Sequence, residues 1–206
     1  MAEKPILFNG EMVRATLDGR KTQTRRPIRA SGSVIETRAS IEHYYAPSYK
    51  TGDTLWVRET WGIADMWLTP EAALAEFYGD EDSAVYTGKV PGRYDVADLA
   101  AHVVYRASMD REYHWRPSIH MPRWASRITL EVTDVRAERV GAISAADLLA
   151  EGADWFIGST EYTSPNEKRL AWFSNTWDAI YAKRGLGWDA NPWVWAYTFR
   201  VVNDGR

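Results

Sequence analysis

Hydrophobic and polar positions along the chain follow two periods. The clearest strand signal is Arg127–Arg136, where Ile128, Leu130 and Val132 alternate with Thr129, Glu131 and Thr133, as in a half-buried strand. Aromatic and apolar side chains alternate again over Pro192–Val202. A Thr51-Gly52-Asp53 turn feeds a strand at Thr54–Trp61, His102–Arg106 reads as another, and Lys4–Phe8 as a short extended entry. Helical spacing appears at positions 12, 13, 16 and 17, with Asn9 as cap and Gly19 as stop. Ser144 opens a short helix ending at Glu151-Gly152, and Ser164-Pro165 a longer one through Tyr181, stopped at Gly185. Lys21–Pro27 is polar, β-prone and ended by proline, whereas residues 30–50 look irregular. Residues 62–100 read as an insertion with a helix signal near Pro70–Tyr78. Short strands with a few helices imply an α+β fold: a mixed β-barrel with peripheral helices.

Composition narrows the chemistry. The 206 residues suit one domain with insertions. The absence of cysteine excludes disulfides, thiolate metal sites and a cysteine nucleophile. No apolar run approaches the ~18 residues of a membrane span, and the first residues lack a signal-peptide core. A cytoplasmic protein with no membrane partner is therefore expected. Eleven tryptophans and eleven tyrosines supply rings for a core or for stacking on bases. The net charge of −3 argues against coating of long nucleic acids. Charge is nevertheless uneven. Residues 1–29 hold seven Lys/Arg, Arg25 among them, against three acids, and residues 60–100 hold eight acids against two bases. A basic patch beside an acidic insertion fits a small anionic or nucleic-acid-like ligand.

His43, His102, His114 and His120 have no metal-binding spacing, so neither metal nor cofactor is expected. Gly185-Leu186-Gly187 reads as a helix stop. What remains is Gly19–Arg26, where Lys21 sits among three arginines and two threonines. One reading is a solvated basic edge strand. The other is a lysine whose cationic neighbours and burial favour the neutral amine, a general base for a hydroxyl nucleophile. Lys21 and Thr24 are three apart, so a regular strand sends them to opposite faces, and the pair works only if the chain bends between them.

Gly19-x-Lys21-x-x-Thr24-x-Arg26, followed by Lys50-Thr51-Gly52-Asp53-x-Leu55-x-Val57, resembles the ASCH domain, a branch of the PUA-like superfamily. Thr24 stands where many members carry glutamate, and this departure resembles the subgroup that hydrolyses N4-acetylcytidine. Thr129–Thr133 resembles that subgroup's central strand, and an ungapped run from it reaches Glu151. Trp195–Val202 resembles the closing barrel strand, and Arg116–Trp124 resembles larger phage and prophage relatives. The resemblance covers about half the chain, leaving 27–49, 62–101 and 153–190 as insertions in a single PUA-like domain. It implies that Lys21 is the base, Thr24 the nucleophile and Glu151 the proton donor of an amidohydrolase acting on N4-acylated cytidine. Arg20, Arg26, Glu59, Trp61, Trp193 and Trp195 are then the candidates for holding the substrate. The alternatives are a non-catalytic module binding RNA or another single-stranded or modified nucleic acid, and a ribonuclease.

Overall fold

The structure is a computed structural model that describes residues 3–28, 37–63, 102–109, 115–153 and 164–203. The helix signal near Pro70–Tyr78 lies outside the described residues, with nearly all of the 62–101 insertion. The elements are β1 (Glu3–Leu7), α1 (Gly10–Leu17), β2 (Gln23–Pro27), α2 (Arg38–Tyr44), β3 (Thr54–Arg58), β4 (Trp61–Ile63) and β5 (Val103–Tyr105). They continue with β6 (Thr129–Arg139), α3 (Ala145–Ala150), α4 (Pro165–Tyr181) and β7 (Trp193–Asn203). The fold is α+β, as the two periods in the sequence predict. No helix among the described residues is long and apolar enough to cross a membrane.

The described residues gather into two compact units, each built from segments distant in sequence. One takes in Ala15–Thr54 and Leu130–Val202, the other Glu3–Arg14 and Leu55–Thr129.

In the first unit β6, β7 and β2 lie side by side in that order, with β2 at the edge. β2 runs antiparallel to β7, from Gln23 opposite Thr198 to Pro27 opposite Val194. An edge position tolerates Pro27, which has no N–H to donate. α4 begins with a capping box: the Ser164 side chain accepts from the Glu167 N–H, Glu167 answers at the Ser164 N–H, and Pro165 fills the first turn. Phe173, Trp177 and Tyr181 recur every four residues on one face. They pack with Val140, Leu148 and Val194 into this unit's core. Gly185, at φ 72, ends the turn that follows α4.

In the second unit β1 lies beside β3, and the Phe8 N–H continues the ladder by donating to the Arg58 carbonyl. β4 pairs with β5, Trp61 opposite Tyr105. Trp61, Met121 and Ala125 form the core there, with Trp124 edge-on to Trp61 at 5.8 Å. Several of the many tryptophans are therefore spent on packing.

Candidate functional site

Lys21 is placed by the end of α1. Asn9 caps the helix start through its Oδ1, which accepts from the Met12 N–H at 2.8 Å. At the other end Gly19 takes φ +74, and the N–H groups of Arg20 and Lys21 both donate to the Ala15 carbonyl at 2.9 Å. The chain is thereby folded back, and Lys21 forms an antiparallel bridge with Glu151. Gly152, at φ +96, lies so close that a Cβ there would meet the Ala15 Cβ at 2.9 Å and the Lys21 Cβ at 3.4 Å. Only glycine lets the two segments approach this tightly.

The Lys21 side chain is fully buried. Its Nζ donates to Glu151 Oε2 at 2.6 Å, to the Gln23 carbonyl at 2.7 Å and to the Glu151 carbonyl at 3.1 Å. Burial pushes the ammonium below its ordinary lysine value. The Glu151 carboxylate opposes the shift, while Arg26 and Arg25 add to it. Of the two readings of Gly19–Arg26, the solvated strand does not apply to this lysine.

Glu151 follows α3 as its C-terminal cap, and α3 itself is fixed by a Ser144–Asp147 capping box. One Glu151 oxygen meets Lys21; the other accepts from Arg25 NH1 at 2.9 Å. Arg25 has no side-chain exposure, although its place in a basic run reads as solvated. Its Nε donates to Glu138 Oε1 at 2.8 Å, and its NH2 lies 2.7 Å from that oxygen and 3.4 Å from Asp147 Oδ2. Arg136 closes the network, with Nε on Glu138 Oε2 at 3.0 Å and NH2 on Asp147 Oδ1 at 2.8 Å. Burial alone would raise the Asp147 carboxyl, but the Ser144 hydroxyl, Arg25 and Arg136 outweigh it and hold the group at about 2. Three cations and three carboxylates alternate through this part of the interior.

Thr24 is buried and sits opposite Tyr197, while Arg26 sits opposite Trp195. Residues directly opposite in an antiparallel pair share a face, so these four occupy one side of the sheet. Arg26 NH1 donates to Thr24 Oγ1 at 3.2 Å. The Tyr197 hydroxyl accepts from the Ser48 N–H at 3.2 Å, and its ring meets Tyr49 edge-on at 5.0 Å. Burial raises the Tyr197 phenol to about 12. Between the Lys21 bridge and β2, the Thr22 N–H donates to the Ala150 carbonyl and its own carbonyl receives the Phe199 N–H; β2 starts at Gln23. The Lys21 ammonium rests on the carbonyl of Gln23, the residue preceding Thr24.

The remaining candidates are spread more widely. Arg20 pairs with Asp18 at 2.6 Å and reaches the Gly152 carbonyl at 3.4 Å. Trp195 is 7% exposed; Trp193 is half-buried, with the Arg139 guanidinium 4.7 Å above its ring. Glu59 and Trp61 belong to the second unit. Glu59 is buried in a two-pronged pair with Arg127, at 2.9 and 3.0 Å, and burial raises its carboxyl against the pull of that arginine. Trp61 is 0% exposed; a ring with no open face cannot stack on a base, so it is a core residue. Among the described residues no group of three His, Asp or Glu is arranged to hold a metal ion.

Sequence reading missed Arg25, Glu138, Asp147 and Arg136. The signal was present only in part: Lys21, Gln23 and Arg25 share parity, and Asp147 and Glu151 lie one helical turn apart.

No protein-family model matches the sequence, and no curated protein matches it. The structure is similar to an ASCH domain from Lactobacillus crispatus, with 11% identity, 98% of this chain and 80% of that one covered, and a TM-score of 0.44. It is also similar to a protein from Enterococcus faecalis assigned to the DUF984 family model, with 12% identity, 98% and 81% covered, and a TM-score of 0.43.

Proposed function

We propose that this chain is an ASCH-type amidohydrolase releasing cytidine, as base, nucleoside or nucleotide, from N4-acylated forms. The observation that carries the reading is the buried Lys21–Glu151 pair with its 2.6 Å hydrogen bond. Moving one proton along that bond converts an ion pair into a neutral amine and a carboxylic acid, the base and the acid that amide cleavage needs. Burial of Lys21 favours its neutral amine. The Gly19–Arg26 motif supports the same assignment of roles.

In the first half-reaction Lys21 takes the hydroxyl proton of Thr24 while Oγ1 bonds to the acyl carbon. The carbon–N4 bond then breaks, and Glu151 delivers its proton to N4. This leaves an acyl ester on Thr24, an ammonium at Lys21 and a carboxylate at Glu151. Water attacks the ester and gives a proton to Glu151, Lys21 returns one to Oγ1, and the carboxylic acid departs. Arg26, already donating to Thr24 Oγ1, and Arg20 are the side-chain donors for the intermediate oxyanion. Trp193, with a partly open ring, is the stacking candidate.

Incubation of N4-acetylcytidine with the protein, followed by chromatography, is expected to show cytidine and acetate appearing in equal amounts. Absence of cytidine, together with salt-sensitive binding of single-stranded RNA, would establish a nucleic-acid reader instead.

A further inference from the structure

The Lys21–Glu151 pair continues into a larger set of charges, whose role rests on the amidohydrolase reading of that pair. Arg25 lies between three carboxylates: Glu151 and Asp147, four residues apart on α3 and its cap, and Glu138 on β6. Its guanidinium uses separate nitrogens, NH1 for Glu151 at 2.9 Å and Nε and NH2 for Glu138 at 2.8 and 2.7 Å. Arg136 braces the far side by holding the second oxygen of both Glu138 and Asp147. A planar fork held on two edges in this way has one orientation.

We propose that Arg25 is a positioning residue, locked by Glu138 and Asp147, that fixes the Glu151 carboxylate against Lys21 and sets how readily the proton passes between them. Its grip on Oε1 holds the carboxylate in place, and its positive charge beside Lys21 disfavours the ammonium. Glu138 and Asp147 temper that charge by neutralising the guanidinium. The groups facing the pair are Arg25 and Arg26 from β2, Asp147 from α3, and Glu138 and Arg136 from β6 through Arg25. Arg25 itself touches no substrate in this scheme.

Two variants move the charge in opposite directions. Arg25→Met removes a cation, so the titration midpoint of Lys21 must rise. Glu138→Gln removes an anion and leaves the Arg25 charge less neutralised, so the midpoint must fall. Each shift is expected to exceed about half a pH unit, within the range that neighbouring charges produce. The readout is the lysine ε-carbon NMR signal followed against pH, with Lys21 assigned by its loss in Lys21→Arg and folding checked by thermal melting. Shifts of opposite sign support the proposal; a purely packing role moves neither midpoint. Unmoved midpoints, or shifts of the same sign, in folded variants overturn it. If Arg25→Met fails to fold, Glu138→Gln decides alone: a fall supports, and no change or a rise overturns. The titration needs no substrate, so its outcome is separate from whether N4-acetylcytidine is hydrolysed.

Discussion

Burial separates the roles of the polar side chains between Lys21 and Arg26. Thr24 is 1% exposed, and its hydroxyl is held by Arg26, so it points to fixed surroundings rather than to bulk water. Replacing it by valine keeps the shape and β preference but removes the oxygen. Thr24→Val should fold, with a stability loss of about 1 kcal/mol for the hydrogen bond from Arg26, whose NH1 keeps the Arg25 carbonyl. Hydrolysis of N4-acetylcytidine should fall by far more than tenfold, and a tenfold loss is only about 1.4 kcal/mol of barrier. Parallel melting and turnover assays check both halves. A folded variant keeping a tenth of the activity excludes the ester intermediate. The same accounting by burial explains Trp61. An aromatic beside a strand end reads equally well as platform or core, and only its 0% exposure decides for the core.

Secondary structure was largely legible because its signals are local, although α2 (Arg38–Tyr44), capped by Thr37, lies in the 30–50 stretch that reads as irregular. Asn9, Gly19, Ser144, Ser164 and Gly185 mark helix ends in the sequence and do so in the structure. Alternation marks β6 and β7. What local pattern did not disclose is why α3 must lie where it does, since that depends on Gly152 passing Ala15 and on Asp147 meeting Arg25 and Arg136. Both yield predictions. Gly152→Ala places a methyl 2.9 Å from the Ala15 Cβ in a backbone conformation with φ +96, and should cost about 1–3 kcal/mol, read as a lowered melting temperature. Asp147 titrates at about 2 in the folded chain against about 3.9 when unfolded. Its folded value is depressed, so its contribution is complete above about pH 4 and drains away as pH falls toward 2. The stability gap between wild type and Asp147→Asn, measured by denaturant titration, should therefore shrink across that window. A gap that stays constant through it contradicts the ion network around Arg25.

The long-range pairing was the least legible part. Lys21 and Glu151 are 130 residues apart in the chain, and no periodicity or spacing joins them; only the resemblance to a known motif did. Arg25 was misread for a related reason, because a run of cations looks solvated until distant carboxylates are folded onto it. Net charge bears on the choice of ligand. A net charge of −3, with Arg25 of the basic N-terminal run buried among carboxylates, favours a small ligand over a long phosphate backbone. Hydrolysis of a nucleoside should change little between about 50 and 200 mM salt, whereas single-strand binding would fall with a log–log slope near −0.7 for each phosphate neutralised. Rates measured across that salt series check this.

The proposed amide cleavage depends above all on Lys21 acting as a base from within a buried pair. The pH profile of kcat/KM on N4-acetylcytidine, taken for wild type and for Lys21→Arg, measures that property. Activity is expected to rise with pH through a midpoint well below the ~10.4 of free lysine. Lys21→Arg, which keeps the charge but cannot release a proton near neutrality, should be folded and inactive. An active arginine variant, or a midpoint at the ordinary lysine value, contradicts the role of Lys21 as the base.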